Sequence, residues 1–144
     1  MRYLLDTNVL SELVKRRPDV RVTEWIEARP PLDLAISVLS LGEVEQGIAR
    51  LPVGARRTAL SRWARVELPT QFVGRLLGVD AAVAVAWGAM CAQAGQDRRP
   101  LPVVDGLLLA TARARALTLV TRNLADCARR GVPVYDPWND ALHD

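Results

Sequence analysis

Asp105 is the only charge between Arg99 and Arg113, within the run Pro100-Leu-Pro-Val-Val-Asp-Gly-Leu-Leu-Leu-Ala-Thr-Ala112. Burying an unpaired carboxylate costs several kcal/mol or more, so it needs a cation, a capping role or a raised pKa. The alternative is a helix N-cap or first-turn aspartate, since Asp105 stands near an expected helix start, where negative charge is favourable. Glu43 presents the same conflict: Ser40, Glu43 and Gly47 stack at i, i+3 and i+7, a strip of small residues around one carboxylate. Glu45, about 200° around at roughly 100° per residue, should face away as an exposed control. Glu43 could also be a surface charge at the margin of the apolar face. Asp6 follows the apolar run Arg2-Tyr-Leu-Leu5 and could serve only as a turn or cap residue. Its surroundings exclude two phosphate chemistries. A phosphatase of the haloacid dehalogenase type needs a second aspartate where Asn8 stands, and a phosphate-accepting receiver needs an acidic pair and a late lysine, whereas Lys15 is the only lysine.

Taken together, Asp6, Glu43 and Asp105 fit one cluster of oxygen ligands. Two carboxylates about 4 Å apart repel by about 4 kcal/mol at an effective dielectric near 20, so an ionised cluster needs a cation. Oxygen donors select Mg²⁺ or Mn²⁺ over zinc or copper. A hydrated metal there can activate water, neutralise phosphate charge and steady a leaving oxygen. The chemistry that follows is phosphodiester hydrolysis.

The elements that would carry these residues alternate. Arg2–Leu5 reads as a strand, followed by a turn at Asp6-Thr7-Asn8 and a helix with Val9, Leu10, Leu13 and Val14 inward, capped by Asn8 or Thr7 and closed by Pro18. A second helix spans Asp19–Ala28 and a strand Leu32–Ile36. Leu41, Val44, Ile48 and Leu51 mark one face of a helix that Pro52 ends, and Ala55–Glu67 is an Arg-rich helix. Arg75–Val79 is a strand, Ala81–Gln96 a buried helix, Gln96–Pro102 a proline-punctuated loop and Val103–Ala116 a helix. Leu117–Thr121 is a strand, Leu124–Arg130 a short helix and Val132–Tyr135 the last strand. Short apolar strands alternating with helices predict an α/β fold, a mostly parallel sheet covered on both faces. Ligands bind such sheets beyond the carboxyl ends of the strands. That rule selects Asp6 and Thr121-Arg122-Asn123.

The chain has 144 residues, 50% hydrophobic and 24% charged, as expected of one compact domain over 1–144 with a core that needs no disulfide or structural metal. Nineteen basic residues against sixteen acidic give +3, and all the basic residues except Lys15 are arginine. That bias fits phosphate contact, and it equally fits codon usage in a GC-rich genome. Cys91 and Cys127 lack a C-x-x-C spacing and the sole histidine is His143, which excludes a zinc site. Met1–Leu5 reaches Asp6 before a signal region could form, and Ala81–Gln96 is too short to span a membrane, so an intracellular, cytoplasmic protein is expected.

The residues resemble the PIN-domain ribonucleases, specifically the VapC or FitB-like toxins of type II toxin–antitoxin modules. The motifs are Leu4-Leu-Asp-Thr-Asn-Val-Leu-Ser11, Ile36-Ser-Val-Leu-Ser-Leu-Gly-Glu-Val44 with Gly47-Ile48, Leu101-Pro-Val-Val-Asp-Gly106, Leu119-Val-Thr-Arg-Asn123 with Asp126, and Asp136-Pro-Trp138, which together run nearly the whole chain. By that resemblance Asp6, Glu43 and Asp105 fall on the acidic metal-site positions, Thr121 on the small hydroxyl beside them, and Asn8 among the supporting residues. Asn123 stands where many relatives carry Asp, so Asp126 would complete the site directly or through water. Cys127 replaces an aromatic residue, a packing change rather than a reactive thiol. The resemblance implies an endoribonuclease in which Mg²⁺- or Mn²⁺-activated water cuts RNA to leave 5′-phosphate and 3′-hydroxyl ends, a homodimer, and a cognate antitoxin filling the acidic pocket. Arg122 and Lys15-Arg16-Arg17 could hold flanking phosphates or be solvated surface. Trp25 and Trp87 are expected in the core, whereas Trp63 and Trp138 could stack on bases. A catalytically silent PIN-like module that binds RNA or a partner, with the acids as caps, is the alternative.

Overall fold

The computed structural model describes residues 1–144. Leu4 and Leu5, adjacent in sequence, fall into different apolar cores. Ala35 and Ile36, and Leu119 and Val120, divide in the same way. Side chains alternate across a strand, so short strands that place apolar residues on both faces require a cover on both sheet faces.

Six strands form one sheet in the order β3-β2-β1-β4-β5-β6. They are β1 (Tyr3–Leu5), β2 (Leu34–Ser37), β3 (Leu76–Leu77), β4 (Thr118–Val120), β5 (Val134–Asp136) and β6 (Ala141–His143). All pairings are parallel except β5 with β6. From β1 the chain steps outward to β2 and β3, then returns to place β4 on the other side of β1, so the switch in strand order lies between β1 and β4. Their Tyr3–Thr118, Leu4–Leu119 and Leu5–Val120 register makes both strands end at the same level.

Four of the helices start where the sequence offers a side-chain cap. Asp6 caps α1 (Thr7–Leu13), Asp19 caps α2 (Val20–Glu27), Ser37 caps α3 (Val38–Ala49) and Asp80 caps α6 (Ala81–Gln96), each accepting a hydrogen bond from a first-turn backbone N–H. The Arg-rich segment is longer and less regular than the expected Ala55–Glu67. It runs through α4 (Ala55–Arg62), a π-turn over Trp63–Glu67 and α5 (Leu68–Gln71). Pro69 accounts for the widening, because its ring clashes with the carbonyl four residues back, and Leu68 N–H accordingly bonds Trp63 O, five residues away.

On one face, α6 and α7 (Val103–Arg115) supply Val83, Met90, Leu108 and Leu109 to the core beneath Leu4 and Leu119. Gly106 lets Leu101 and Trp87 close over α7, since a Cβ there would lie 3.1 Å from Leu101 and 3.2 Å from Trp87. Trp87 is partly buried in this core, while Trp25 is buried in the other with Val9, Leu10, Ile36 and Val120. Trp138 is also core, 2% exposed, so base stacking is closed to it.

Three boundaries differ from expectation near the carboxyl end. The helix read as Leu124–Arg130 is only α8 (Leu124–Cys127), because Ala128 already takes extended backbone (φ -71°, ψ 153°), and the positive φ of Arg129 and Gly131, 59° and 76°, then turn the chain away. The strand read as Val132–Tyr135 is shifted to β5, and β6 was not foreseen. Asp136 makes β6 possible by accepting hydrogen bonds from Trp138 N–H and Asn139 Nδ2, both at 2.8 Å, which reverse the chain. With Leu142 67% exposed, β6 is too short and too exposed to announce itself in the sequence. No helix is long and apolar enough to cross a membrane.

Candidate active site

At the switch point, Thr121 Oγ1 donates to Asp6 Oδ2 across 2.7 Å, joining the ends of β4 and β1. Asp6 is 5% exposed and also receives Thr7 N–H on Oδ1 at 2.7 Å, so it is a helix cap and a cleft carboxylate at once. Asn8 Nδ2 bonds Thr121 Oγ1 at 3.0 Å and Asp6 Oδ2 at 3.4 Å. Burial pushes the Asp6 carboxyl above its ordinary range, and Glu43 adds to the rise. The Thr121 and Thr7 hydrogen bonds oppose it without prevailing.

Glu43 comes from the second turn of α3, and Thr7 Oγ1 donates to its Oε1 at 2.6 Å. Glu45 points elsewhere, as the helical angle requires, and its carboxylate pairs with Arg65 at 2.8 Å. Ser40, on the Glu43 face, is fully buried with its Oγ unpartnered.

Asp105 lies in the first turn of α7 but caps nothing; Pro102 precedes the helix without a side-chain hydrogen bond. Its Oδ2 accepts from Asn123 Nδ2 at 3.2 Å, and the same amide donates to Asp126 Oδ2 at 3.1 Å. The neutral residue at 123 therefore ties two carboxylates together. Even at a helix start, the Asp105 carboxyl is pushed up to about 6, first by burial and then by the charges of Asp6, Asp126 and Glu43. Burial, with the charges of Asp105, Asp6 and Asp126, pushes the Cys127 thiol far up, so this buried side chain is packing and not a nucleophile.

Asp6, Thr7, Asn8, Ser11, Lys15, Glu43, Asp105 and Asn123 line one polar cleft of about 460 Å³. Asp126 joins it through Asn123. Arg122 is exposed at the edge, with its backbone N–H 3.4 Å from Asn8 Oδ1 and its guanidinium over the Trp138 ring. Thr7 and Ser11 were not singled out beforehand as cleft residues. Thr7 sits beside Asp6, and Ser11 lies one helical turn beyond it, which is the signal that could have found them. No three of the acidic, cysteine or histidine side chains stand close enough to hold a metal on protein ligands alone. The all-oxygen donor set with excess negative charge still suits a hard divalent cation, which keeps several waters and takes one or two carboxylates.

The excess charge has a measurable consequence without metal. Between its ordinary value near 3.8 and about 6, Asp105 holds a proton in the folded protein that the unfolded chain has released, so stability falls as pH rises through that window. Two pK units correspond to roughly 3 kcal/mol, and solvent screening of this half-exposed group reduces that to about 1 kcal/mol. Asp105→Asn should therefore raise the melting temperature in EDTA at pH 7 by about 3–4 °C and leave it unchanged near pH 3. Calorimetry at both pH values decides; an equal shift at both would remove the charge argument.

The architecture and the cleft define an α/β domain that gathers carboxylates at the switch point of a parallel sheet. The chain belongs to the PIN domain family, which matches residues 3–128. It is 33% identical to VapC ribonuclease Y4jK of Sinorhizobium fredii, over 96% of this chain and 99% of that one. It is 31% identical to Toxin FitB of Neisseria gonorrhoeae, over 95% and 99%. The crystal structure of FitAcB from Neisseria gonorrhoeae superimposes with a TM-score of 0.89 at 30% identity, covering 94% of this chain and 98% of that one.

Proposed function

We propose that this chain is a divalent-metal-dependent endoribonuclease, the toxin of a type II toxin–antitoxin module, using Mg²⁺ or Mn²⁺ and acting in the cytoplasm as a single domain over 1–144. The observation that carries the reading is the convergence of Asp6, Glu43 and Asp105 on one polar cleft at the strand ends of a PIN domain. The similarity to a VapC ribonuclease and to Toxin FitB supports the substrate class and the role, and with the role a cognate antitoxin and a homodimer.

In this reading Asp6, Glu43 and Asp105 would surround the cation, one or two of them as direct ligands and the rest through its bound waters. When bound, it neutralises phosphate charge and makes water a competent nucleophile near neutral pH. The chain's remaining groups fix the carboxylates. Thr121 and Asn8 orient Asp6, and Thr7 orients Glu43. Asn123 is a positioning residue whose two N–H donors hold Asp105 beside Asp126, so Asp126 acts through that amide. A neutral bridge limits repulsion in a cleft that already carries three acids. Arg122 at the edge is placed to meet a flanking phosphate.

The test is hydrolysis of a single-stranded RNA by the purified chain in Mg²⁺ or Mn²⁺, with ends mapped. Cleavage that leaves 5′-phosphates, stops in EDTA and returns with Mn²⁺ is expected. Undiminished cleavage in EDTA would remove the metal; an inert wild type under all conditions would favour the silent binding module.

A further inference from the structure

A second cleft of about 460 Å³ opens between α6, the end of α7 and the segment after α8, and Arg99, Arg113, Arg129 and Arg130 line it. None of the four forms a salt bridge; the ion pairs of this chain involve Lys15, Arg21, Arg65 and Arg115 instead. Asp97 is the only acid on the wall, and its Oδ1 is taken by Gln93 Nε2 at 3.0 Å. The charges are instead held in place by neutral groups. Arg99 bonds the carbonyls of Ala128 and Ala125, both at 2.7 Å, Arg130 bonds those of Asp126 at 2.5 Å and Pro100 at 2.8 Å, and Arg113 bonds that of Arg130 at 2.9 Å. A carbonyl fixes a guanidinium without cancelling its charge.

Capping the carbonyl end of α8 explains Arg99 and Arg130, but not the other two. Arg113 spends one donor, and the Arg129 side chain spends none. Arg129 also adopts φ of 59°, a conformation a glycine would take more easily, with its N–H held by Asp144 O. Desolvation, and then the neighbouring Arg99 charge, push the Arg130 guanidinium below its ordinary pKa, and the opposing charges of Asp126 and Asp97 do not make this up.

Asp126 links the linings of the two clefts: its carboxylate accepts from Asn123, on the wall of the acidic cleft, and its carbonyl accepts from Arg130, on the wall of the second. A polyanion entering an acidic cleft needs cations close by to hold it, and the planar fork of arginine suits phosphate. We propose that Arg99, Arg113, Arg129 and Arg130 form a phosphate-binding subsite for the RNA strand leading away from the acidic cleft. The choice of RNA as occupant rests on the ribonuclease reading.

The test measures binding separately from cleavage. A fluorescent single-stranded RNA is titrated into the full chain carrying Asp6→Asn, with and without R113Q/R129Q, across a salt series. Loss of two phosphate contacts should lower the slope of log affinity against log salt by about 1.4, which is about 20-fold weaker binding at 0.1 M if the lines meet near 1 M. R113K/R129K keeps the charges and should restore the slope, and R129Q alone, at an exposed position, stands in with a slope loss of about 0.7 if the double glutamine variant does not fold. With aspartate retained at position 6, R113Q/R129Q should raise KM for RNA and leave kcat near wild type. Unchanged affinity and slope in the glutamine variant would overturn the subsite. So would a Glu-rich peptide that binds with the same arginine dependence while RNA does not. A wild type that binds RNA through these arginines but never cuts it would sink the ribonuclease reading alone.

Discussion

Asp6→Asn is expected to lower RNA hydrolysis about 10³-fold while the protein stays folded, at the upper end of what one electrostatic group contributes to a transition state. The substitution isolates charge from shape. Asparagine caps a helix as well as aspartate does, so the Thr7 N–H keeps its acceptor, and the Thr121 hydroxyl can still donate to the side-chain oxygen. What disappears is the negative charge at the one point where β1, β4 and α1 meet. A kcat within tenfold of wild type would remove Asp6 from the machinery. Melting curves guard the interpretation, because relief of carboxylate repulsion predicts a variant at least as stable as wild type without metal.

Glu12→Ala should be the most damaging single change to stability outside the core, costing about 3 kcal/mol and about 10 °C in melting temperature. Glu12 is 5% exposed on α1 and accepts from Lys15 Nζ at 2.9 Å and from Asp19 N–H at 3.1 Å. Burial raises its carboxyl, but hydrogen bonds from Lys15, Asp19 and Trp138 outweigh that and leave it below the ordinary glutamate range. Alanine would strand the Asp19 N–H and release Lys15, the one lysine lining the acidic cleft. The group lies close under the surface and Lys15 is half-exposed, which keeps the loss at the low end for a broken pair. Because the folded pKa is lowered, this contribution is present above the unfolded value of about 4.5 and fades as pH falls below it. A calorimetric loss under 1 kcal/mol at pH 7 would show that Glu12 is ordinary surface charge.

Glu12 also shows where sequence reading stops. It stands in Leu10-Ser-Glu-Leu13, one charge among apolar residues, and its pattern differs little from that of an exposed helix position. Only the return of the chain at Asp19 and the packing of Trp138 enclose it. The opposite case is Asp105, whose isolation in an uncharged run is visible in one dimension because no neighbour could have solvated it.

The sequence alone determined the alternation of short strands and helices, the cover on both sheet faces, and the acids that conflict with their surroundings. These are local properties, set by the two- and 3.6-residue periods of side-chain direction and by the cost of an unpaired charge. The family resemblance, carried by five ordered motifs, came from the same string. Tertiary structure alone decided that Thr121 holds Asp6, that Thr7 holds Glu43 and that Asn123 joins Asp105 to Asp126: Thr121 and Asp6, 115 residues apart, meet only when β4 docks beside β1, and Thr7 meets Glu43 only when α1 packs against α3. It also decided that the arginine excess is not spread evenly. Four of those side chains, from three separate segments, converge on one cleft, and convergence across segments is a property of the fold that no composition records.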